Sequence, residues 1–118
     1  MELIEGQVWS YKSRAAESDS EARVIKIDGF GVHISLNNLK VVNPETSSGY
    51  SSEVSHFPMD LKAFEDSVIE LKRIDENFEE DYLSGFDVWL EENTNGDAGY
   101  FTVSIREAVQ FIEDTLTQ

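Results

Sequence analysis

Along the first half of the chain, apolar and polar residues alternate, whereas in the second half the apolar ones recur every three or four positions. Gln7 to Lys12 sets Val8, Ser10 and Lys12 against Trp9 and Tyr11, and Ala22 to Asp28 sets Val24 against Ile25 and Ile27. Both stretches carry the β-branched and aromatic residues that suit a pleated surface. Between them, Ser13 to Glu21 is small and polar and reads as a mobile loop. Gly29-Phe30-Gly31 reads as a tight connection into a strand, Val32 to Leu36, with Val32, Ile34 and Leu36 turned inward and His33 and Ser35 outward. Asn37-Asn38 then marks a two-residue hairpin into Leu39 to Val42. A Ser/Gly-rich loop from Pro44 to Val54 leads to a fifth short segment at Ser55-His56-Phe57-Pro58. Four or five short strands joined by tight turns predict a strongly bent, small antiparallel SH3-like β-barrel.

Beyond residue 58 the period changes. Asp60 is placed to cap a helix from Leu61 to about Arg73, with Leu61, Phe64, Val68 and Leu71 on one stripe and Ile69 widening it. Phe78, Tyr82, Phe86 and Trp89 predict a second helix over 78–92, interrupted by Gly85. Asn93 to Gly99 reads as a turn, Tyr100 to Val103 as a short strand, and Ser104 with Glu107 as the capping box of a last helix through Leu116. The expectation is therefore an α+β fold in one domain, residues 1–118: a barrel over 1–58 followed by about three helices over 59–118.

Composition changes this picture mainly through charge. Twenty-four Asp/Glu against nine Lys/Arg give a net charge of −15, which opposes direct binding to nucleic acid or to an anionic membrane. The imbalance is local. Residues 1–58 hold eight acids and five bases, residues 59–118 hold 16 acids and four bases, and Ile74 to Ile105 holds nine acids with no Lys, Arg or His. The absence of Cys removes disulfides and thiolate chemistry. Met1 to Glu5 has neither the basic region nor the apolar run of a signal peptide, and no apolar stretch reaches the length of a membrane span. A cytoplasmic location is expected.

Candidate chemistry is sparse. Asn93, Asn95 and Gly96 echo part of a calcium loop, but the first and twelfth positions would be Glu91 and Thr102, so no metal is expected. Gly29-x-Gly31 lacks the third glycine and the following helix of a dinucleotide fingerprint, so no cofactor is expected. The acidic stretch offers Glu79, Glu80, Asp81, Asp87, Glu91 and Glu92 as a surface for a basic protein, since opposite potentials steer association. Trp9, Tyr11 and Phe30 offer a different reading, in which aromatics at the mouth of an SH3- or Tudor-like barrel hold a peptide or small ligand by cation–π contact. Catalysis would have to centre on His33 with Arg14 and Arg23, as a weak nuclease or hydrolase.

The stretch Gly6-Gln7-Val8-Trp9-Ser10-Tyr11-Lys12, followed by a polar loop, Val24-Ile25-Lys26-Ile27 and Val32-His33-Ile34-Ser35-Leu36, resembles a family of small bacterial proteins that open with this strand-loop-strand signature. Their later His-x-Pro is echoed by His56-Phe57-Pro58, and their C-terminal Phe-Thr-Val-Ser pattern by Phe101-Thr102-Val103-Ser104 with Glu107-Ala108. The resemblance implies a shared fold and a bacterial or phage origin, and carries no activity with it. A looser likeness runs to the MazF-type endoribonucleases, whose small barrel also begins Gly-x-x-Trp before a loop. Those enzymes hold RNA with basic residues, and near that loop this chain has only Lys12, Arg14, Arg23 and Lys26. The leading expectation is a non-enzymatic binding protein of the immunity or antitoxin kind that docks a basic partner through its acidic half.

Overall fold

The computed structural model describes residues 2–28, 31–75 and 100–117. Among the described residues seven strands are present: β1 (Gln7–Tyr11), β2 (Glu21–Ile27), β3 (Gly31–Leu36), β4 (Val41–Val42), β5 (Tyr50–Ser51), β6 (Val54–Asp60) and β7 (Val68–Ile74). Two α-helices accompany them among the described residues, α1 (Leu61–Ser67) and α2 (Ile105–Leu116), with one turn of 3-10 helix at Ala15–Glu17. Five strands form one antiparallel sheet in the order β6-β3-β2-β1-β7, and β4 and β5 form a separate two-stranded sheet. The short helix α1 takes the chain from β6 at one edge to β7 at the other. Among the described residues no helix is long and apolar enough to cross a membrane.

The expected architecture needs correction. In place of a four- or five-stranded SH3-like barrel followed by about three helices, the chain builds a five-stranded antiparallel sheet, a second two-stranded sheet and, among the described residues, two helices. One of those helices lies between strands rather than after them. The α+β class stands, and residues 59–118 add a strand, β7, to the main sheet. The second helix expected over 78–92 lies outside the described residues.

The helix expected from Leu61 to Arg73 is half helix and half strand. Asp60 caps it as anticipated, its carboxylate accepting from the Ala63 amide at 3.1 Å. The helix stops at Ser67, and Val68 is extended, with φ −79 and ψ 152. In β7, Val68, Leu71 and Ile74 lie opposite Tyr11, Trp9 and Gln7, with register shifts that leave Ile69 and Lys72 as extra residues. Directly paired residues share a face, so two bulges bring residues three apart onto one side of the strand. The three-residue spacing that reads as helical is thus that of a bulged strand. The bulges and the charges of Glu70, Lys72 and Arg73 also make β7 a poor template for a further strand.

The hairpin expected at Asn37-Asn38 does not form either. Asn38 takes φ 49, and the Asn37 side chain accepts from the Glu21 amide at 2.6 Å. The chain then leaves the main sheet, so that Val41 and Val42 pair with Ser51 and Tyr50.

The core gathers on one face of the sheet. Trp9, Tyr11, Val24, Ile34, Phe57 and Met59 pack there with Phe64 of α1 and Ile105, Ala108 and Val109 of α2. Helix α2 begins as the sequence indicates, with the Ser104 hydroxyl accepting from the Glu107 amide at 3.1 Å. Its first amide, on Ile105, donates to the Ser67 hydroxyl at 3.0 Å, which ties α2 to the end of α1.

The segment expected as a mobile loop, Ser13 to Glu21, is anchored by a charge clamp. Arg14 donates through Nε and Nη2 to the two oxygens of Glu17, both at 2.8 Å, and through Nη1 to Glu113 of α2 at 3.0 Å. Glu17 is 1% exposed and also accepts from the Lys40 amide at 2.8 Å, while Glu113 accepts from the Val42 amide at 2.7 Å. Burial pushes the Glu17 carboxyl up, but the guanidinium and the amide outweigh it and hold it below the usual carboxylate range. Glu17→Ala strands Arg14 and the Lys40 amide and should cost about 3 kcal/mol of stability. Glu17→Gln, whose amide oxygen still accepts from Lys40, should cost less. The shift in urea midpoint measures both.

Candidate functional site

A connected polar arrangement lies on the other face of the sheet, around His33. Side chains alternate along a strand, so Val32, Ile34 and Leu36 point into the core and His33 points away from it. The sequence expectation that His33 would therefore be exposed is not met, because all six residues of β3 are buried and His33 is 0% exposed. Both faces of the strand are covered.

Three elements converge on this ring. On β6, Pro58 lies opposite His33, and His56, two residues away, is its diagonal neighbour on the same face. Asp28, in the connection after β2, turns back on β3: its amide donates to the Gly31 carbonyl at 3.1 Å and its Oδ1 accepts from the Gly31 amide at 2.8 Å. Tyr100 arrives on the segment before α2. That segment is fastened to the edge of β6, where the Phe101 amide donates to the Pro58 carbonyl at 2.9 Å and the Asp60 amide to the Phe101 carbonyl at 2.8 Å.

The side chains form a continuous chain of hydrogen bonds. His33 Nε2 lies 2.7 Å from Asp28 Oδ2, and the Tyr100 hydroxyl donates to the same oxygen at 2.5 Å. His33 Nδ1 lies 2.8 Å from His56 Nε2, with the two rings inclined by only 15°. A carboxylate can only accept, so Asp28 takes the Nε2 proton of His33, which leaves Nδ1 to accept from His56 Nε2. Gly31 is required by this packing: a Cβ there would meet the Met59 carbonyl oxygen and would lie 2.6 Å from the Tyr100 ring.

The electrostatics follow from burial. Desolvation lowers the His33 pKa against the opposing pull of Asp28, and desolvation with the neighbouring His33 lowers His56 to about 4. Tyr100 is pushed upward, first by desolvation and then by donating to Asp28. Both imidazoles are therefore neutral at pH 7. Chemically, the arrangement is a short proton wire in which a proton taken by His56 can be passed to His33 and stabilised by Asp28. Its hydrogen bonds tie the connection after β2, β3, β6 and the segment before α2 together. No three His, Cys, Asp or Glu among the described residues are disposed to hold a metal ion.

The residues singled out from the sequence fare differently. Trp9 and Tyr11 do share a face, but it is the core face, where they are 9% and 5% exposed. The Trp9 indole donates to Gln7 Oε1 at 3.3 Å and the Tyr11 hydroxyl pairs with Ser20 Oγ at 2.7 Å. Phe30, the third aromatic of that reading, lies outside the described residues, as do Glu79, Glu80, Asp81, Asp87, Glu91, Glu92 and the Asn93-Gly96 turn. Arg14 belongs to the clamp with Glu17 and Glu113, Arg23 pairs with Asp75 at 3.1 Å and Lys26 with Glu5 at 3.5 Å. The structure does not gather Arg14 with His33 as a catalytic group.

Sequence reasoning missed the grouping of Asp28, His56 and Tyr100 with His33. Asp28-x-x-Gly31 is a legible turn signal. Nothing local announces His56 or Tyr100, which reach His33 only through the pairing of β6 with β3 and of residue 101 with β6.

Both histidines are harder to protonate in the folded chain than at the ordinary imidazole value of 6.5. The unfolded chain binds these protons more readily, so stability present above about pH 6.5 is lost as the pH falls toward about 4. His56→Gln keeps a donor to His33 and removes one titration. Its melting temperature should fall less than that of the parent between pH 7 and pH 4.5. Gly31→Ala should destabilise by about 2 kcal/mol, more than Tyr100→Phe at about 1 kcal/mol, as read by chemical denaturation. No family model, curated protein or solved structure matches this chain.

Proposed function

We propose that this chain is a non-enzymatic binding domain whose acidic half docks a basic protein. The observation that carries the reading is the way its positive charge is used. Of nine basic side chains, Arg14, Arg23, Lys26, Lys62, Lys72 and Arg73 each sit within salt-bridge distance of a carboxylate of the same chain. Two thirds of the scarce cations are thus partnered internally, and the carboxylates in excess of them give the net charge of −15. Such a surface repels phosphate and steers cationic partners toward it.

The polar network around His33 also favours binding over catalysis. Asp28 spends both oxygens, and His33 both nitrogens, on neighbouring groups of the fold. The aromatic-reader alternative draws no support from Trp9 and Tyr11, which are committed to the core. Within the proposal, Glu79, Glu80, Asp81, Asp87, Glu91 and Glu92 supply the steering charge. A chain without cysteine needs no oxidising compartment, and the proposal places it in the cytoplasm.

The combined variant Glu79→Lys, Glu80→Lys, Asp81→Lys should slow association with a small cationic protein about tenfold at low ionic strength and flatten its salt dependence. Stopped-flow or surface-resonance kinetics measure this. An unchanged association rate overturns the reading.

A further inference from the structure

Among the described residues, helix α2 carries one large apolar side chain that is left exposed. Ile105, Ala108 and Val109 enter the core and Ile112 and Leu116 pack against it, whereas Phe111 is 61% exposed. It is not isolated. Phe57, in the core, stacks on Phe101 with ring centroids 4.6 Å apart, and Phe101 meets the edge of Phe111 at 6.3 Å. This aromatic series runs from the interior to the surface. It ends in an open groove lined by Tyr100, Phe101, Thr102, Val103, Glu107 and Phe111, with Val103 40% exposed.

Among the described residues, the charged group that lines the groove is the acid Glu107. Glu107, Phe111 and Asp114 are spaced by four and three residues and so share one exposed stripe of α2, with a carboxylate one turn to either side of the phenyl ring. Both acids are held in place: Glu107 Oε1 accepts from the Ser104 hydroxyl at 3.2 Å, and Asp114 Oδ1 accepts from Gln110 Nε2 at 3.0 Å. Arg106, the one base on the helix, precedes Glu107 and is turned away from it by about 100°. An apolar patch rimmed by charge of a single sign selects partners of the opposite sign.

For the basic partner proposed above, on which this rests, we infer that the groove between residues 100–103 and α2 is the docking surface. Its occupant is a short segment of that partner presenting a large apolar side chain flanked by lysine or arginine. The apolar side chain packs on Phe111, Phe101 and Val103, and the flanking cations meet Glu107 and Asp114. Desolvated aromatic contacts at the centre and charges at the rim divide affinity and steering between them.

The test titrates the full chain with three capped peptides, Lys-Lys-Leu-Trp-Lys-Lys, Lys-Lys-Gly-Gly-Lys-Lys and Glu-Glu-Leu-Trp-Glu-Glu, followed by amide NMR. The first should shift the resonances of Val103, Glu107 and Phe111 and bind at least about fivefold more tightly than the second. Phe111→Ser should abolish that difference, and Phe111→Leu, which keeps an apolar side chain, should retain most of it. Glu107→Gln with Asp114→Asn should flatten the salt dependence. Equal binding of the two basic peptides, or no effect of Phe111→Ser, overturns the groove and leaves the basic-partner reading standing. Equal binding of the acidic peptide overturns the charge assignment of the groove. Failure of both basic peptides to bind overturns the groove and the basic-partner reading together.

Discussion

All six residues of β3 are buried, so each must be satisfied without water, and the two sides of the strand achieve this by different chemistry. Val32, Ile34 and Leu36 enter the apolar core, where burial of hydrocarbon is itself the stabilising term. His33 on the opposite side is polar, and a polar group removed from water is costly unless it is paired. Asp28 and His56 supply the partners, and Tyr100 completes the acceptor side of Asp28. The connection after β2, the diagonal of β6 and the segment before α2 all converge on this requirement. The segment before α2 is thereby joined to β3 and to the connection after β2.

A second polar tie works at the opposite side of the domain. Arg14 bridges Glu17 in the connection between β1 and β2 to Glu113 on α2, and the two carboxylates in turn hold the amides of Lys40 and Val42. A buried ion pair of this kind is weak evidence of net stability, but removal of one member leaves uncompensated charge. Its effect is to specify position: one guanidinium sets where α2, the 3-10 turn and β4 lie with respect to one another. It also withdraws a cation from the surface. The same use of bases recurs between Arg73 and Glu21 and between Arg23 and Asp75, which link β2 with β7 and the residue after it.

Seen together, these ties separate what the molecule needs for folding from what it leaves available for contact. The histidine network and the arginine clamp are spent on the fold. Phe111 and Val103 stay largely exposed, at the end of an aromatic series that starts from buried Phe57. An exposed aromatic side chain costs little where it stands, but it gains where a partner can desolvate it.

The residues by themselves determined the α+β class, strands β1, β2, β3 and β6, the Asp60 and Ser104 caps and the start of α2, because alternation, β-branching and capping are local properties. They also determined the acidity and where along the chain it falls. Tertiary structure decided the rest. Residues 68–74 carry a spacing of three that suits a helix, and only pairing with β1, with two bulges, makes that spacing a strand. Residues 39–42 follow a plausible hairpin signal, yet the Asn37 side chain bonds to Glu21 and the pairing goes to β5. Trp9 and Tyr11 alternate correctly, but no local pattern says which side of a sheet becomes the core. His33, His56, Asp28 and Tyr100 are spread over 28–100, and their meeting depends on strand order and register. These are long-range choices made by the cost of leaving buried groups unpaired, a cost that exists only once the chain has closed around them.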